Sequence, residues 1–179
     1  MRRAVFLDRD GVLNDAIVRD GLAYAPLSLD DFHILEEAPD AVARLRGTGL
    51  LCIAFTNQPE IARGLLPPET LELMHRTLRD RVALDDVYVC PHDSTDGCEC
   101  HKPKPGMLLD AARRWDLALA DSFVIGDRWR DIGAGRAAGC HSVLLERPYS
   151  ACDDASVPHA RVATLSEAVD LILERMTDN

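Results

Sequence analysis

The sequence lacks any long apolar run. No segment approaches the ~20 apolar residues that a membrane-spanning helix needs. After Met1, Arg2 and Arg3, only four apolar residues precede Asp8, and a signal peptide needs a longer apolar stretch. We therefore expect a cytoplasmic protein without a membrane partner.

Positive charge is scarce. The chain carries 20 Lys and Arg against 30 Asp and Glu, which gives a formal net charge of −10. Nucleic acids and anionic membranes bind basic surfaces, so this balance argues against both as partners. If the partner is a small phosphate ester, its site must supply a local positive field from a metal ion, a lysine or backbone N–H groups. No exposed heptad pattern and no conspicuous apolar patch is evident, which favours a monomer.

Internal repeats, long linkers and low-complexity tracts are also absent. A chain of 179 residues fits one domain, 1–179, that is large enough to bury a core. Short apolar runs alternate with helical periodicity, which predicts an α/β fold: a single Rossmann-like, doubly wound parallel sheet. Strands are expected at 4–7, 50–55, 87–89, 122–125 and 142–145, and helices at 40–46, 68–82, 105–115, 131–138 and 165–176.

The connecting segments are short. Residues 15–32 are the least regular and are expected to form a flap or hairpin beside the first strand. No connection is long enough for a separate cap domain, so we expect a capless fold. Ser166 is the expected N-cap of the last helix.

Two carboxylates follow the first strand. Ala4 to Leu7 is apolar, and Asp8, Arg9, Asp10 and Gly11 come directly after it. In an open α/β sheet, ligands bind beyond the carboxyl ends of the strands. Two acids this close repel each other unless a cation lies between them or one keeps its proton. The segment therefore indicates either a Mg²⁺ site or a solvated acidic turn.

Three later segments carry polar residues at equivalent places. Thr56 and Asn57 end the second strand, where they suit phosphate oxygens or a simple turn. Lys102 precedes a helix and would neutralise phosphate or lie on the surface. Asp127 ends another strand and suits a metal, and Asp131 suits either the same site or a helix cap.

Six cysteines would suggest disulfides in an oxidising compartment, but three of them crowd one short loop. In a reducing compartment such clustering indicates a metal site. Cys52 and Cys140 lie in apolar, strand-like segments and are expected to be buried. Cys152 lies in a polar segment and is expected to be incidental.

The clustered cysteines have the spacing of zinc ligands. Cys90, His92, Cys98 and Cys100 fit a closed Cys₃His tetrahedron, which is structural because no coordination position stays open. The alternative is four unrelated residues in a mobile loop. Zinc would fold the polar loop 90–101 and would also fix Lys102, two residues after the last ligand.

Together, the four polar segments resemble the haloacid dehalogenase (HAD)-like phosphohydrolase superfamily. The matching motifs are Asp8-Arg9-Asp10-Gly11, Thr56-Asn57, Lys102, and Gly126-Asp127 with Asp131. The resemblance implies that Asp8 is a nucleophile that forms an aspartyl-phosphate. It implies that Asp10 is a general acid and then a general base.

The resemblance also implies the ligand contacts. Asp8, Asp10 (through its backbone carbonyl) and Asp127 would bind Mg²⁺, and Asp131 would orient metal-bound water or Lys102. The phosphoryl oxygens would be held by Thr56, by the Asn57 backbone and by Lys102.

The zinc loop is similar to that of the branch containing the heptose-bisphosphate and histidinol-phosphate phosphatases. The heptose enzymes are favoured by Ile61-Ala62-Arg63-Gly64, by Asp96-Gly97-Cys98 and by the run from Lys102 to Met107. The chain departs from them at Pro59-Glu60, where Ser-Gly is usual, and at His101, where Arg is usual. Arg63, His101 and Arg128 remain candidates for binding a distal phosphate or hydroxyl.

The expected activity is therefore a Mg²⁺-dependent phosphomonoesterase with a structural Zn²⁺. Its expected substrate is a small sugar phosphate, above all the 7-phosphate of D-glycero-D-manno-heptose 1,7-bisphosphate. Histidinol phosphate or another sugar phosphate remains an alternative, as does transfer of the phosphoryl group to an alcohol. A non-enzymatic alternative is an inactive, zinc-stapled binding module.

Overall fold

The computed structural model describes residues 1–150 and 156–177, which form a parallel sheet with helices on both faces. Its strands are β1 (Ala4–Leu7), β2 (Ile17–Arg19), β3 (Leu22–Tyr24), β4 (Leu51–Asn57), β5 (Asp86–Cys90), β6 (Phe123–Gly126), β7 (His141–Leu145) and β8 (Ala160–Val162). Its α-helices are α1 (Ala38–Arg46), α2 (Pro68–Val82), α3 (Gly106–Trp115), α4 (Trp129–Ala137) and α5 (Leu165–Thr177). The predicted α/β class is confirmed.

The main sheet has six parallel strands in the order β5-β4-β1-β6-β7-β8. The chain moves outward from β1 to β4 and β5, and then returns to the other side of β1 to form β6. This reversal of strand order next to β1 opens a crevice beyond the carboxyl ends of the strands. The loops that follow β1, β4 and β6 therefore meet at one place.

The sheet is buried on both faces. On β1, Val5 and Leu7 face a core formed with α1, α2 and α5, while Ala4 and Phe6 face a second core formed with α3 and α4. All four side chains are completely buried. This explains why the strand is a continuous apolar run rather than an alternating pattern.

The other expected elements are present, with bounds within two residues of those predicted. Residues 15–32 contain the antiparallel hairpin of β2 and β3, and no cap domain accompanies it within the described residues. The sequence analysis missed the edge strand β8 and a 3₁₀ turn at Leu119–Asp121. None of the described helices combines the length and apolar character needed to cross a membrane.

One predicted cap is wrong. The backbone N–H of Ser166 donates to Glu37, whereas the hydroxyl of Thr164 accepts a hydrogen bond from the N–H of Glu167. The Glu167 carboxylate in turn accepts from the N–H of Thr164. Thr164 and Glu167 therefore form a reciprocal capping box, as Ser/Thr-x-x-Glu sequences do.

The isolated cysteines lie as expected. Cys52 and Cys140 are both buried. Cys152 lies outside the described residues, so its expected role stays a prediction.

Candidate active site and metal centres

The turn after β1 places Asp8 in the crevice. The N–H of Asp8 donates to Ile125 O at 2.9 Å, which continues the pairing of β1 with β6. Gly11 then turns the chain with φ +98°, and a Cβ there would lie 2.0 Å from Asp127 Oδ2 and 2.5 Å from the Tyr149 hydroxyl. Glycine is thus required both for the backbone conformation and for the close approach of the first and last motifs.

Lys102 connects two of the predicted carboxylates. Its Nζ donates to Asp8 Oδ1 at 2.7 Å, to Asp131 Oδ1 at 2.6 Å and to the carbonyl of Phe55 at 3.2 Å. Burial alone would lower the pKa of Lys102, but the charges of Asp131 and Asp8 outweigh burial and raise it. The ammonium group therefore stays charged at the floor of the crevice.

Asp8 is nearly as deeply buried. Burial and the neighbouring charge of Asp131 raise its pKa to about 6, while Lys102 acts in the opposite direction. A divalent cation would strengthen the effect of Lys102, since an opposite charge favours the ionised carboxylate. The site is therefore suited to hold Asp8 as an anion once a metal is bound.

Asp127, Asp8 and Asp131 form a cluster of acceptors. Each offers a carboxylate oxygen within 4.8 Å of the others. Asp127 is completely buried, and neither of its carboxylate oxygens has a well-aligned hydrogen-bond partner among the described residues, although the Tyr149 hydroxyl lies close enough to act against the rise in its pKa. Burial, and then the charges of Asp8 and Asp131, raise the pKa of Asp127 well above its ordinary range. A hard divalent cation fits this cluster, because it would both neutralise the carboxylates and use the unpaired oxygens.

Asp131 has two structural tasks. Its Oδ2 accepts from the N–H of Arg128 at 3.0 Å, which caps α4, while Oδ1 binds Lys102. The sequence left a helix cap and a role in the site as alternatives for Asp131. The structure shows that the same side chain caps α4 and contacts Lys102. A Cβ at Gly126 would lie 2.1 Å from the Cβ of Asp131, so glycine at the end of β6 makes room for it.

Asp10 is held by three donors that the sequence analysis did not identify as site residues. Arg9 and Asn14 both donate to its Oδ1, at 2.8 and 2.9 Å for the shortest contacts. Gln58 donates to its Oδ2 at 2.8 Å and to the Thr56 hydroxyl at 3.0 Å. The proximity of Arg9, Asn14 and Gln58 to the motifs in sequence was the available signal for them.

Asn57 fixes the backbone of Lys102. Its Oδ1 accepts from the N–H of Lys102 at 3.0 Å, and its Nδ2 donates to the carbonyl of the same residue at 3.3 Å. This reciprocal pair joins the end of β4 to the lysine across 45 residues of sequence. The side chain of Asn57 thus positions Lys102.

The loop after β7 also braces the site. The guanidinium of Arg147 donates to the carbonyl of Gly11 at 3.2 Å, and the Ser150 hydroxyl donates to the carbonyl of Asp127 at 2.5 Å. The ring of Tyr149 lies beside Arg128, with 5.9 Å from guanidinium carbon to ring centroid. Nothing in the spacing of these residues indicated a role at the site.

The four predicted zinc ligands converge. Cys90 Sγ lies 3.6 Å from Cys98 Sγ and 3.1 Å from Cys100 Sγ, and the last two sulfurs are 3.5 Å apart. Nδ1 of His92 lies 3.7 Å from Cys90 Sγ and 3.3 Å from Cys100 Sγ. None of these cysteines forms a disulfide. Zn–S bonds of about 2.3 Å would separate tetrahedral sulfurs by about 3.8 Å, so the observed cluster fits a zinc ion.

An open cavity of ≈ 220 Å³ lies above the acidic cluster. The predicted residues that line it are Asp8, Asp10, Thr56, Asn57, Arg63, His101, Lys102, Arg128 and Asp131. Asp127 lies beneath it, next to Asp8 and Asp131. The fold therefore brings the predicted catalytic, phosphate-binding and magnesium residues together.

The mouth of the cavity carries several charges. Arg63 forms an ion pair with Asp93, while Arg130 and Tyr24, which the sequence analysis did not single out, also line the opening. Burial, supported by the nearby charge of Arg130, lowers the pKa of His101. His101 is therefore neutral near pH 7, which makes it a poor replacement for a permanently charged arginine.

Comparison with known proteins agrees with this geometry. The HAD-hydrolase-like family model matches residues 99–168. The D-glycero-beta-D-manno-heptose-1,7-bisphosphate 7-phosphatase of Bordetella bronchiseptica is 38% identical over an alignment of 152 positions, which covers 80% of each chain. That of Haemophilus ducreyi is 33% identical over an alignment of 189 positions, which covers 99% of this chain and 96% of the relative.

A solved structure is also similar. The B. bronchiseptica D,D-heptose 1,7-bisphosphate phosphatase, crystallised with magnesium and phosphate, superposes with a TM-score of 0.80 and 31% sequence identity. The match covers 97% of this chain and 99% of that one. The chain therefore belongs to the HAD-like hydrolase family, in the branch that contains the D-glycero-beta-D-manno-heptose-1,7-bisphosphate 7-phosphatases.

Proposed function

We propose that this protein is a Mg²⁺-dependent phosphomonoesterase that removes the 7-phosphate of D-glycero-D-manno-heptose 1,7-bisphosphate. The observation that carries the proposal is the arrangement of charges at the floor of the cavity: Lys102 joins Asp8 to Asp131, and Asp127 lies beside them with two carboxylate oxygens that no well-aligned hydrogen bond from the described residues uses. This arrangement offers a nucleophile, a cation and a metal-binding acid in one place. The relatives that carry this activity support the choice of substrate.

In the first step, Asp8 attacks phosphorus. One carboxylate oxygen of Asp8 forms the new bond to phosphorus while the bond to the sugar oxygen breaks, and Lys102 holds the carboxylate in place. Asp127, Asp8 and the backbone carbonyl of Asp10 would hold Mg²⁺, which supplies positive charge between the attacking carboxylate and the phosphoryl group when bound. The hydroxyl of Thr56 and the N–H of Asn57 would hold the phosphoryl oxygens.

Asp10 moves the protons. In its protonated form Asp10 gives a proton to the departing sugar oxygen, and it then becomes the carboxylate that Arg9, Asn14 and Gln58 hold in this structure. In the second step, this carboxylate takes a proton from the water that attacks the aspartyl-phosphate. Cleavage of the phosphorus–oxygen bond to Asp8 then releases inorganic phosphate and restores both residues.

We also propose that Cys90, His92, Cys98 and Cys100 bind a structural Zn²⁺. All four coordination positions would be occupied by protein, which leaves none for substrate or water. The bound ion would hold the loop 90–101, which contains few buried apolar side chains of its own. We further propose that the protein acts as a cytoplasmic monomer consisting of a single domain, 1–179.

One observation favours a second candidate, histidinol-phosphate phosphatase. Glu60 lines the cavity, and its Oε2 is buried without a hydrogen-bond partner among the described residues. A carboxylate in that position would attract the cationic amine of histidinol phosphate and would disfavour a second phosphate. Against this, Arg63, Arg128 and Arg130 line the same cavity and would attract a second phosphate.

The experiment that distinguishes them is phosphate release measured with Mg²⁺ on both substrates, reported as kcat/KM. A hundredfold preference for the heptose bisphosphate, about 2.7 kcal/mol of transition-state discrimination, would support the first assignment. The opposite preference would support the second. Asp8→Asn serves as the control, because its loss of turnover ties the measured release to this site.

A further inference from the structure

A completely buried arginine lies beside the catalytic acid. Arg9 stands between Asp8 and Asp10 in the sequence, yet its side chain is 0% exposed. Its Nε and Nη2 donate to Asp10 Oδ1 at 3.0 and 2.8 Å, and Nη2 lies 3.0 Å from Oδ2. Burying a guanidinium costs free energy unless its N–H groups donate hydrogen bonds. The partner of Nη1, on the side away from Asp10, is therefore part of what stabilises Arg9 here.

That contact is made by helix α2. Nη1 of Arg9 lies 3.2 Å from Nε2 of His75, a residue of α2 that is 2% exposed. Burial, and then the charges of Arg9 and Arg79, lower the pKa of His75 to about 3, although Asp10 acts in the opposite direction. The ring is therefore neutral. Because a guanidinium only donates, Nε2 is the acceptor and the ring proton lies on Nδ1.

We propose that His75 is a positioning residue that orients the Asp10 carboxyl through Arg9. The proposal rests on the proposed phosphatase function, in which Asp10 exchanges a proton with the sugar oxygen and then with water. Proton transfer requires a hydrogen-bonding distance, so a small rotation of the carboxyl slows it. His75 fixes one side of the guanidinium, and the ring of Phe32 lies 5.6 Å from its central carbon.

The expected effect is partial. Asn14 and Gln58 also hold Asp10, so removing the His75 acceptor loosens the carboxyl without releasing it. General acid–base catalysis contributes about 10²–10⁴ in rate, and we expect a loss of about tenfold from misplacing the acid. This loss should fall on kcat rather than KM, since His75 does not line the substrate cavity.

Three variants test the proposal in the zinc- and magnesium-loaded protein. His75→Phe keeps a ring but removes the acceptor, and it should lower kcat on a sugar phosphate about tenfold, with KM changed less than about twofold. His75→Gln keeps an acceptor and should recover most of kcat. Leu78→Ala, one turn further along α2 and also buried, should lower the melting temperature but leave kcat unchanged.

A substrate whose leaving group needs no proton distinguishes misplacement of the Asp10 carboxyl from a general loss of active-site structure. The dinitrophenolate of 2,4-dinitrophenyl phosphate departs without a proton, so its release by excess enzyme in a single turnover should be the same in His75→Phe and wild type. An equal loss of rate on both substrates in His75→Phe would overturn the proposal. An equal loss of kcat in His75→Gln and His75→Phe would also overturn it. If His75→Phe does not fold, His75→Asn, whose side chain is too short to reach Arg9, replaces it. Wild-type protein that hydrolyses neither ester would instead refute the proposed function.

Discussion

The acidic cluster predicts that Asp127 destabilises the protein when magnesium is absent. The carboxylates of Asp8, Asp127 and Asp131 lie within 4.8 Å of one another, and neither carboxylate oxygen of Asp127 has a well-aligned hydrogen-bond partner among the described residues. Two unit charges at 4.8 Å repel by about 3.5 kcal/mol at an effective dielectric constant of about 20. Arg128 and the hydroxyl of Tyr149 offset part of this repulsion at Asp127, and Lys102 offsets part of it at Asp8 and Asp131. We therefore expect Asp127→Asn to raise the free energy of unfolding of magnesium-free protein by about 2 kcal/mol.

The effect of pH follows from the raised pKa of Asp127. Between the unfolded pKa near 3.8 and its higher folded value, the folded protein binds more protons than the unfolded chain does. Stability of the wild type is therefore lost as pH rises through this range. The Asp127→Asn variant lacks this titration, so its advantage should be largest at pH 8 and should shrink toward pH 4.

The assay is thermal unfolding of zinc-loaded protein in magnesium-free buffer, with and without added Mg²⁺. An increase of about 2 kcal/mol corresponds to roughly 4–8 °C for a chain of this size. Mg²⁺ at a hundred times its dissociation constant should stabilise the wild type by about 2.7 kcal/mol and the variant far less. Asp30→Asn, at an exposed position, should behave as wild type. A lower melting temperature for Asp127→Asn at pH 8, or equal stabilisation of both proteins by Mg²⁺, would refute the reasoning.

Further predictions concern the nucleophile, the zinc loop and a glycine. Asp8→Asn should lower kcat about a thousandfold or more while circular dichroism stays unchanged, because the amide does not form the aspartyl-phosphate; retained turnover would exclude Asp8 as nucleophile. Cys98→Ser should lower the melting temperature by roughly 5 °C or more, and elemental analysis should find less zinc in it. An unchanged melting temperature in zinc-free protein would contradict a structural role for the metal. Gly126→Ala should lower kcat about tenfold or more, since its Cβ would lie 2.1 Å from that of Asp131; full activity would show that Asp131 tolerates the shift.

Sequence reasoning succeeded in predicting which residues meet where a local pattern ends at a residue of the candidate site. Asp8, Thr56 and Asp127 each follow a continuous apolar run, and parallel strands buried on both faces consist of such runs. Parallel strands present their carboxyl ends at one edge, so the pattern predicted which residues would meet. The clustering of Cys90 to Cys100 was equally local.

Sequence reasoning failed where the residue that a side chain contacts is distant in sequence. His75 lies 66 residues from Arg9. It occupies a buried position of α2, and the spacing of the helix alone does not distinguish it from the apolar residues at the other buried positions. Arg9 stands between two acids in the sequence, and only the fold shows that its side chain is buried. The edge strand β8 has three residues, too few for the hydrophobic period to be recognised.

There is a physical reason for the proposed zinc loop, 90–101, to lie beside the proposed phosphate site. Asn57, at the end of β4, forms two hydrogen bonds with the backbone of Lys102, and Cys100 lies only two residues before that lysine. The lysine is thus fixed on one side by the sheet and on the other by the loop whose shape the metal would set. Its ammonium must meet Asp8 and Asp131 at 2.7 and 2.6 Å, and an ångström of displacement would break both contacts. Loss of zinc should therefore reduce turnover before it unfolds the protein, because most of the sheet and of its two cores lies outside the loop.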